Sequence, residues 1–313
     1  KPQLVVPNLP PHAMKRVLFY TQNRWAFGSI HHALCKELYQ HGIYANLLDW
    51  MQHYSMEELA LIDRTYDIIV TNPEAVELYL AKWGFDRKKI VVIAHAQWDL
   101  LKAQAEGGTE FLSEVRNYAV ISDVLARKSA EIGIVRQPKI TPLGIHTDMF
   151  SADIAPALRT VGYAGAPTGA NFAGEDIKRG HLVETAVSGV AGLTLQTHGF
   201  YNHLCMPAYY KHIDGLVVSS SEEAGGLPAM EAAAAGRLVI GTPVGYFEHN
   251  GDQGGGITVP VEPEAFVAKT QEHLSYYRDN PVQYRLKCES IQQYARDNYD
   301  WSKVIDAWLE VIE

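Results

Sequence analysis

Two acids eight positions apart, Glu223 and Glu231, flank a glycine pair in SSSEEAGGLPAMEAAAAG, residues 219–236. An apolar run that reads as a strand, GLVVSSS, leads into the stretch, and another, RLVIGT, leaves it. Pro228 suits the first position of a helix, where its missing N–H would have no partner, and Gly236 suits the place just past the helix end. Gly225 and Gly226 then fall between the carboxyl end of a strand and the amino end of a helix. In open α/β sheets ligands bind there, and backbone N–H groups together with the helix dipole favour an anion. A carboxylate directly on a phosphate would repel it. Carboxylates beside one could accept hydrogen bonds from hydroxyls, as a sugar offers. The pattern therefore fits a ligand with phosphate and sugar parts. It fits equally a capped surface helix whose acids, Glu222 among them, offset the dipole.

The rest of the chain reads as a frame for this stretch. RVLFYT (16–21) is a strand, followed by a glycine-containing loop and a helix over SIHHALCKELYQHG. IYANLLDW, YDIIVTN, KIVVIAHA and NYAVIS are further strand candidates, with helices over SMEELALIDRT, PEAVELYLAKWG, DLLKAQA and DVLARKSAEIG. Ser55 and Glu58 have the spacing of a capping box. KITPLGIHTDMF (139–150) breaks the rhythm and reads as the crossing between domains. The alternation restarts at TVGYAGA, passes the long loop PTGANFAGED, and continues through IKRGHLVETAV, LTLQTHG, MPAYYKHI and GLVVSSS. After the GDQGGG turn come a short strand, ITVPV, and helices from PEAFVAKTQEHLSYYRDN to WSKVIDAWLEVIE. Strands alternating with helices at these lengths predict parallel sheets covered on both faces, in two βα domains.

Bulk composition excludes several classes. The 313 residues suggest about two domains. Apolar residues make up 47%, which is globular, and the net charge of −9 disfavours a general nucleic-acid or anionic-membrane binder. An anionic ligand would need a local cationic pocket. Cys35, Cys205 and Cys288 are odd in number and widely spaced, so they predict neither a disulfide framework nor a zinc site and fit a reducing, cytoplasmic setting. No run approaches the ~18 apolar residues of a membrane span, and no signal peptide is visible. His31 and His32 are adjacent, so on a helix they point about 100° apart and do not make a metal pair. Ser219, Ser220 and Ser221 lack the G-x-S-x-G of a nucleophile elbow, and DQGGGI is not a dinucleotide fingerprint. Tyr209 and Tyr210, on a helix, are expected to pack. Arg24 and Trp25, after the first strand, could touch a ligand or cap the core.

The register of EAGGLPAME, then AAAAGRLVIGT and GYFE, resembles the retaining GT-B glycosyltransferases of family 4, the glycosyl transferases group 1. Their signature is two Glu eight positions apart in E-G-F-G-L-P-x-x-E. MPAYYKHIDGLVVSSSEE, TPLGIHTDMF, VVIAHAQ and WSKVIDAWLEVIE are similar to flanking segments of the same family. The resemblance implies an α/β GT-B fold: two Rossmann-like, doubly wound parallel-sheet domains facing across a cleft. Residues 1–145 would form the N-terminal, acceptor-side domain, 146–298 the nucleotide-sugar domain, and the last helix, about 299–313, would pack back on the first.

It further implies a metal-independent, retaining hexosyl transfer from a UDP- or GDP-sugar to a hydroxyl acceptor (a glycan, a lipid-linked sugar or a small molecule). Bacterial glycan or glycoconjugate synthesis, in the cytoplasm or at the inner face of the membrane, is the implied setting. No cofactor is expected beyond the co-substrate. Glu231 would hold the ribose and Glu223 the donor sugar, with the backbone of Gly225, Gly226 and Leu227 on the diphosphate or sugar. Arg179, or Lys178 beside it, would neutralise the leaving diphosphate. His95 would face the donor sugar, and Gly28, in the loop after the first strand, would approach the diphosphate. His198 is a further donor-side candidate, and Arg24, Trp25 and His31 are acceptor-side ones.

This chain departs from the pattern in four places: its loop is E-A-G-G without the aromatic, His146 stands where Asp is common, Ala164 and Ala166 lie where an Arg is usual, and the 165–177 loop is longer than the pattern implies. Two other readings accompany the first: a sugar-nucleotide-binding protein weakened in catalysis, and a GT-B-fold epimerase or phosphorylase.

Overall fold

The computed structural model describes residues 14–22, 25–50, 52, 54–73, 84–106, 109–165, 171–172, 175–198 and 203–313. They fall into two compact units, Lys1–Gly144 with Val304–Glu313, and Ile145–Lys303.

The first unit is built on a six-stranded sheet in which every described pairing is parallel. In chain order the strands are β1 (Lys15–Thr21), β2 (Ile43–Asp49), β3 (Ile68–Thr71), β4 (Ile90–Ala94), β5 (Asn117–Val120) and β6 (Lys139–Ile140). The helices are α1 (Trp25–Gln40), α2 (Met56–Thr65), α3 (Gln97–Glu106) and α4 (Asp123–Glu131). The sheet order β2-β1-β3-β4-β5-β6 reverses between β1 and β3. β3 and β4 are buried along their whole length, as expected of parallel strands covered on both faces. Ser55 caps α2 in a complete capping box, its side chain accepting from Glu58 N–H while Glu58 accepts from Ser55 N–H at 2.7 Å. The helix expected over PEAVELYLAKWG lies mostly outside the described residues.

Two expectations change here. The stretch 139–150, read as a plain crossing, contains the sixth strand: β6 extends the sheet by pairing with β5. The helix expected to begin near Ser29 begins at Trp25, so no glycine loop runs through Gly28.

The second unit has a five-stranded parallel sheet. Its strands are β7 (Thr160–Tyr163), β10 (Thr194–Thr197), β11 (Gly215–Val218), β12 (Leu238–Gly241) and β13 (Ile257–Thr258). A two-residue hairpin, β8 (Asn171–Phe172) with β9 (Glu175–Asp176), sits apart in the loop after β7. The helices are α5 (Thr147–Phe150), α6 (Gly180–Ser188), α7 (Met206–Lys211), α8 (Leu227–Ala234), α9 (Tyr246–Asn250), α10 (Pro263–Asp279) and α11 (Pro281–Asn298), and the closing helix α12 (Trp301–Ile312) begins in this unit. The order β10-β7-β11-β12-β13 reverses between β7 and β11. In open α/β sheets ligands bind at such a reversal, outside the carboxyl ends of the strands. The loop after β7 ends at Lys178 and Arg179, and the loop after β11 is 219–226, so the topology brings the two candidate segments together. α8 is a slim alanine helix, buried from Ala229 through its end, and α11 packs against it through Gln292, whose amide donates to Ala234 O at 3.2 Å.

The closing helix α12 is divided: Val304 onward belongs with the first unit. There Trp308 is fully buried and donates to Pro142 O at 2.7 Å, and Asn117 donates to Val311 O at 2.6 Å. At its start Asp300 accepts from the Thr147 hydroxyl at 2.7 Å.

Candidate functional site

In the second unit Lys178 and Glu223 meet. The Lys178 ammonium donates to Glu223 Oε1, and Ser220 Oγ donates to the same oxygen at 2.9 Å. The two side chains are 24% and 20% exposed, a half-sheltered ion pair at the reversal of the sheet. Glu222, by contrast, is exposed, so the two neighbouring acids stand in different surroundings.

The backbone beneath this pair is held from several sides. Ser219 Oγ donates to Lys178 O at 2.7 Å and lies 3.0 Å from Arg179 O. Arg179 adopts a left-handed backbone, φ 48°, with its N–H on Asp176 Oδ1 at 3.0 Å. Its guanidinium donates to Ser219 O and Val261 O, both at 2.6 Å. Arg179 is thus directed at backbone carbonyls, and Lys178 is the cation turned toward the glycine loop.

Gly226 forms the start of α8 with φ 92°, and a Cβ on it would sit 3.1 Å from Tyr246 Cβ. Gly245 stands across from the loop with φ 54°. A Cβ there would lie 2.7 Å from Glu223 Cβ and 3.0 Å from Gly225 O. Leu227 is the first residue of α8, one before the start read from Pro228, and its side chain is buried.

Glu231 occupies a different setting. It is 5% exposed, and the Tyr210 hydroxyl donates to its Oε2 at 2.9 Å. Burial raises its carboxyl to about 8, and the Tyr210 bond works against that shift. Tyr210 is itself fully buried against Tyr209 and Phe150, ring centroids 5.4 and 6.0 Å away. His198 follows β10, donates its N–H to Tyr163 O at 3.2 Å, and packs its ring on Tyr209 at 5.9 Å.

The first unit holds the remaining candidates. His95 follows β4 and is 7% exposed. Its N–H donates to Asp99 Oδ2 at 2.8 Å, so Asp99 ties the strand end to the first turn of α3. Its ring packs against Phe27 (5.1 Å), His31 (5.2 Å) and Trp308 (6.4 Å), and its Nδ1 is buried without a hydrogen-bond partner. Burial pulls its pKa down to about 3, so it is a neutral imidazole near pH 7. His31 is 1% exposed with its Nδ1 3.4 Å from Thr21 Oγ1. Burial first, then the His95 and His32 charges, hold it well below the ordinary value. His31, the acceptor-side candidate, is thus a buried residue against the His95 ring. Gly28, expected in a loop, is buried inside α1, because the chain is helical from Trp25 onward. Arg24 and the Trp25 side chain lie outside the described residues.

Sequence reasoning misses Ser219, Ser220, Tyr210 and Gly245. From spacing alone the serines show no nucleophile elbow and no other role, and the tyrosine suggests only packing. Gly245 has a usable signal, a single glycine opening GYFE on the far side of the next strand.

Among the described residues, no three His, Cys, Asp or Glu side chains are grouped as metal ligands would be. Among them too, no helix is long and apolar enough to cross a membrane.

Two parallel sheets flanked by helices, with candidate residues at the strand ends, define an α/β protein of the GT-B class, and known structures agree. The catalytic domain of starch synthase IV from Arabidopsis thaliana, bound to ADP and acarbose, matches with TM-score 0.71 at 12% identity, covering 96% of this chain and 99% of that one. HepE from Anabaena, in complex with UDP and glucose, matches with TM-score 0.71 at 13% identity over 96% and 99%. A point mutant of TarM from S. aureus, in complex with fondaparinux, α-GlcNAc-glycerol and UDP, matches with TM-score 0.62 at 11% identity. That match covers 82% of this chain, which spans only 58% of the TarM chain. Residues 150–275 match the family described as glycosyl transferases group 1, so the resemblance read from EAGGLPAME to that group is borne out in that stretch. No curated protein matches the chain by sequence.

Proposed function

We propose that the protein is a glycosyltransferase that moves a hexosyl group from a nucleoside diphosphate sugar to a hydroxyl acceptor, keeping the anomeric configuration and using no metal. The observation that carries this reading is the Lys178–Glu223 pair at the reversal point of the second sheet, beside the glycine start of α8. A cation suited to a diphosphate and a carboxylate suited to sugar hydroxyls stand in one place. The glycosyl transferases group 1 match over 150–275 contains both.

Lys178 then stabilises the charge that grows on the diphosphate as its bond to the anomeric carbon breaks. The acceptor oxygen forms the new bond on the same face, and its proton passes to the departing diphosphate. Holding the two reactants side by side on that face supplies much of the acceleration. Glu223 accepts from the donor sugar, and Glu231 from the ribose. His95, neutral at physiological pH, serves as a hydrogen-bonding group rather than a proton carrier.

The test is a thermal-shift screen with UDP, GDP, ADP and their hexose derivatives, followed by transfer assays with whichever binds. A ligand at 100 times its Kd adds about 2.7 kcal/mol to the folded state. Stabilisation by a sugar nucleotide and turnover with a hydroxyl acceptor are expected. Binding without turnover on any acceptor would instead leave a sugar-nucleotide-binding protein.

A further inference from the structure

We propose that Lys178 and Glu223 act together as a selector that makes the site prefer a nucleoside diphosphate carrying a sugar over the bare diphosphate. The inference rests on the nucleotide-sugar reading above and adds a specificity role to the pair.

Its basis is the connection between the two groups before any ligand arrives. Lys178 donates to Glu223 Oε1, which also accepts from Ser220. The backbone on both sides is fixed: Ser219 and Asp176 hold 178–179, and the Arg179 guanidinium ties Ser219 O to Val261 O. The side chains can therefore respond while the loop stays in place. At 24% and 20% exposure, each charge has given up much of its water and depends on the other.

A diphosphate that engages Lys178 must take it from Glu223. If the ligand is a bare diphosphate, Glu223 keeps, among the described residues, only the Ser220 hydroxyl, and a half-buried carboxylate loses its cation. If the ligand carries a sugar, hydroxyls arrive that can donate to Glu223 and replace what it lost. The exchange is balanced only for the sugar-bearing ligand. After transfer the product no longer supplies those hydroxyls, so Glu223 again competes for Lys178 and favours release.

The experiment is calorimetric titration of UDP, GDP and ADP, and of their glucose derivatives, into wild type, Glu223→Gln, Glu223→Ala, Lys178→Met and the Lys178→Met/Glu223→Gln double variant. Wild type is expected to bind one sugar nucleotide about tenfold more tightly than the matching bare diphosphate. Both Glu223 variants should bind that bare diphosphate about tenfold more tightly than wild type does and lose the preference for the sugar. In the Lys178→Met background, removing Glu223 should no longer tighten the bare diphosphate. Failure of both Glu223 variants to tighten it overturns the selector. Equal tightening in the Lys178→Met background also overturns it, because that is the effect of removing any negative charge near a phosphate. Wild type binding none of these nucleotides would remove the nucleotide-sugar reading itself.

Discussion

Replacing Glu231 by Gln should make the protein more stable as the pH rises and a poorer binder of its donor. Glu231 is 5% exposed, and its carboxyl titrates at about 8 in the folded protein against an ordinary 4.5. A folded pKa raised above the unfolded one means the native state holds its proton more tightly. Stability is therefore fully present below pH 4.5 and is lost as pH rises toward 8. At about 1.36 kcal/mol per unit, the wild type gives up about 3 kcal/mol between pH 4.5 and 7. Gln keeps the size of the side chain, can still pair with the Tyr210 hydroxyl, and does not titrate. The gap between Glu231→Gln and wild type should thus widen by about 3 kcal/mol over that range, or roughly 6–12 °C in the melting of a unit of this size. Denaturant and thermal melts at half-unit pH steps from 4.5 to 8 measure it. Curves that stay parallel across the range would refute the buried-acid reasoning. Nucleotide binding by the same variant gives the second half: ribose hydroxyls draw out the ionised form of this buried acid, which an amide cannot supply, so affinity for the donor should fall, most clearly toward pH 8, while stability rises.

The histidines give the opposite pH dependence. The His95 pKa is depressed to about 3 and His31 also lies well below its ordinary value, so their stability is present above pH 6.5 and is lost as pH falls. His95→Gln should remove about 2 kcal/mol of the acid sensitivity between pH 7.5 and 5, read by denaturant melts; an unchanged pH profile would contradict the neutral, buried assignment. Gly245→Ala places a Cβ 2.7 Å from Glu223 Cβ on a left-handed backbone. It should cost about 1–3 kcal/mol of stability and, by displacing the 223–225 loop, on the order of a hundredfold in turnover. Near-wild-type turnover in Gly245→Ala would mean that the close approach does not set the loop.

Much of the framework is legible because its physics is local. Ile68–Val70 and Ile90–Ala94 are continuous apolar runs of the kind a doubly covered parallel strand requires. Ser55 with Glu58, and Pro228 with Gly236, mark helix ends through bonds made within a few residues. Glu223 is legible through its spacing from Glu231 and the glycines between them. What escapes depends on partners far away in sequence. β6 is two residues of KITPLG that become a strand only because β5 offers an edge. Nothing near Gly28 announces that α1 starts at Trp25. The Tyr210 bond to Glu231 spans 21 positions, and the His31–His95 contact joins an α1 side chain to the end of β4. Arg179 and Lys178 are interchangeable as cations in the sequence. Only the left-handed backbone at Arg179 and the carbonyls around it separate them.

The most direct test of the site is the kcat/KM for hexosyl transfer from the sugar nucleotide that binds, measured for wild type and Lys178→Met under identical conditions. With the cation over the leaving diphosphate removed and the backbone anchors of Arg179 intact, kcat/KM should fall on the order of a hundredfold or more while the thermal melt stays close to wild type. A Lys178→Met enzyme that folds normally and works within about threefold of wild type would contradict the assignment of Lys178 to the leaving diphosphate.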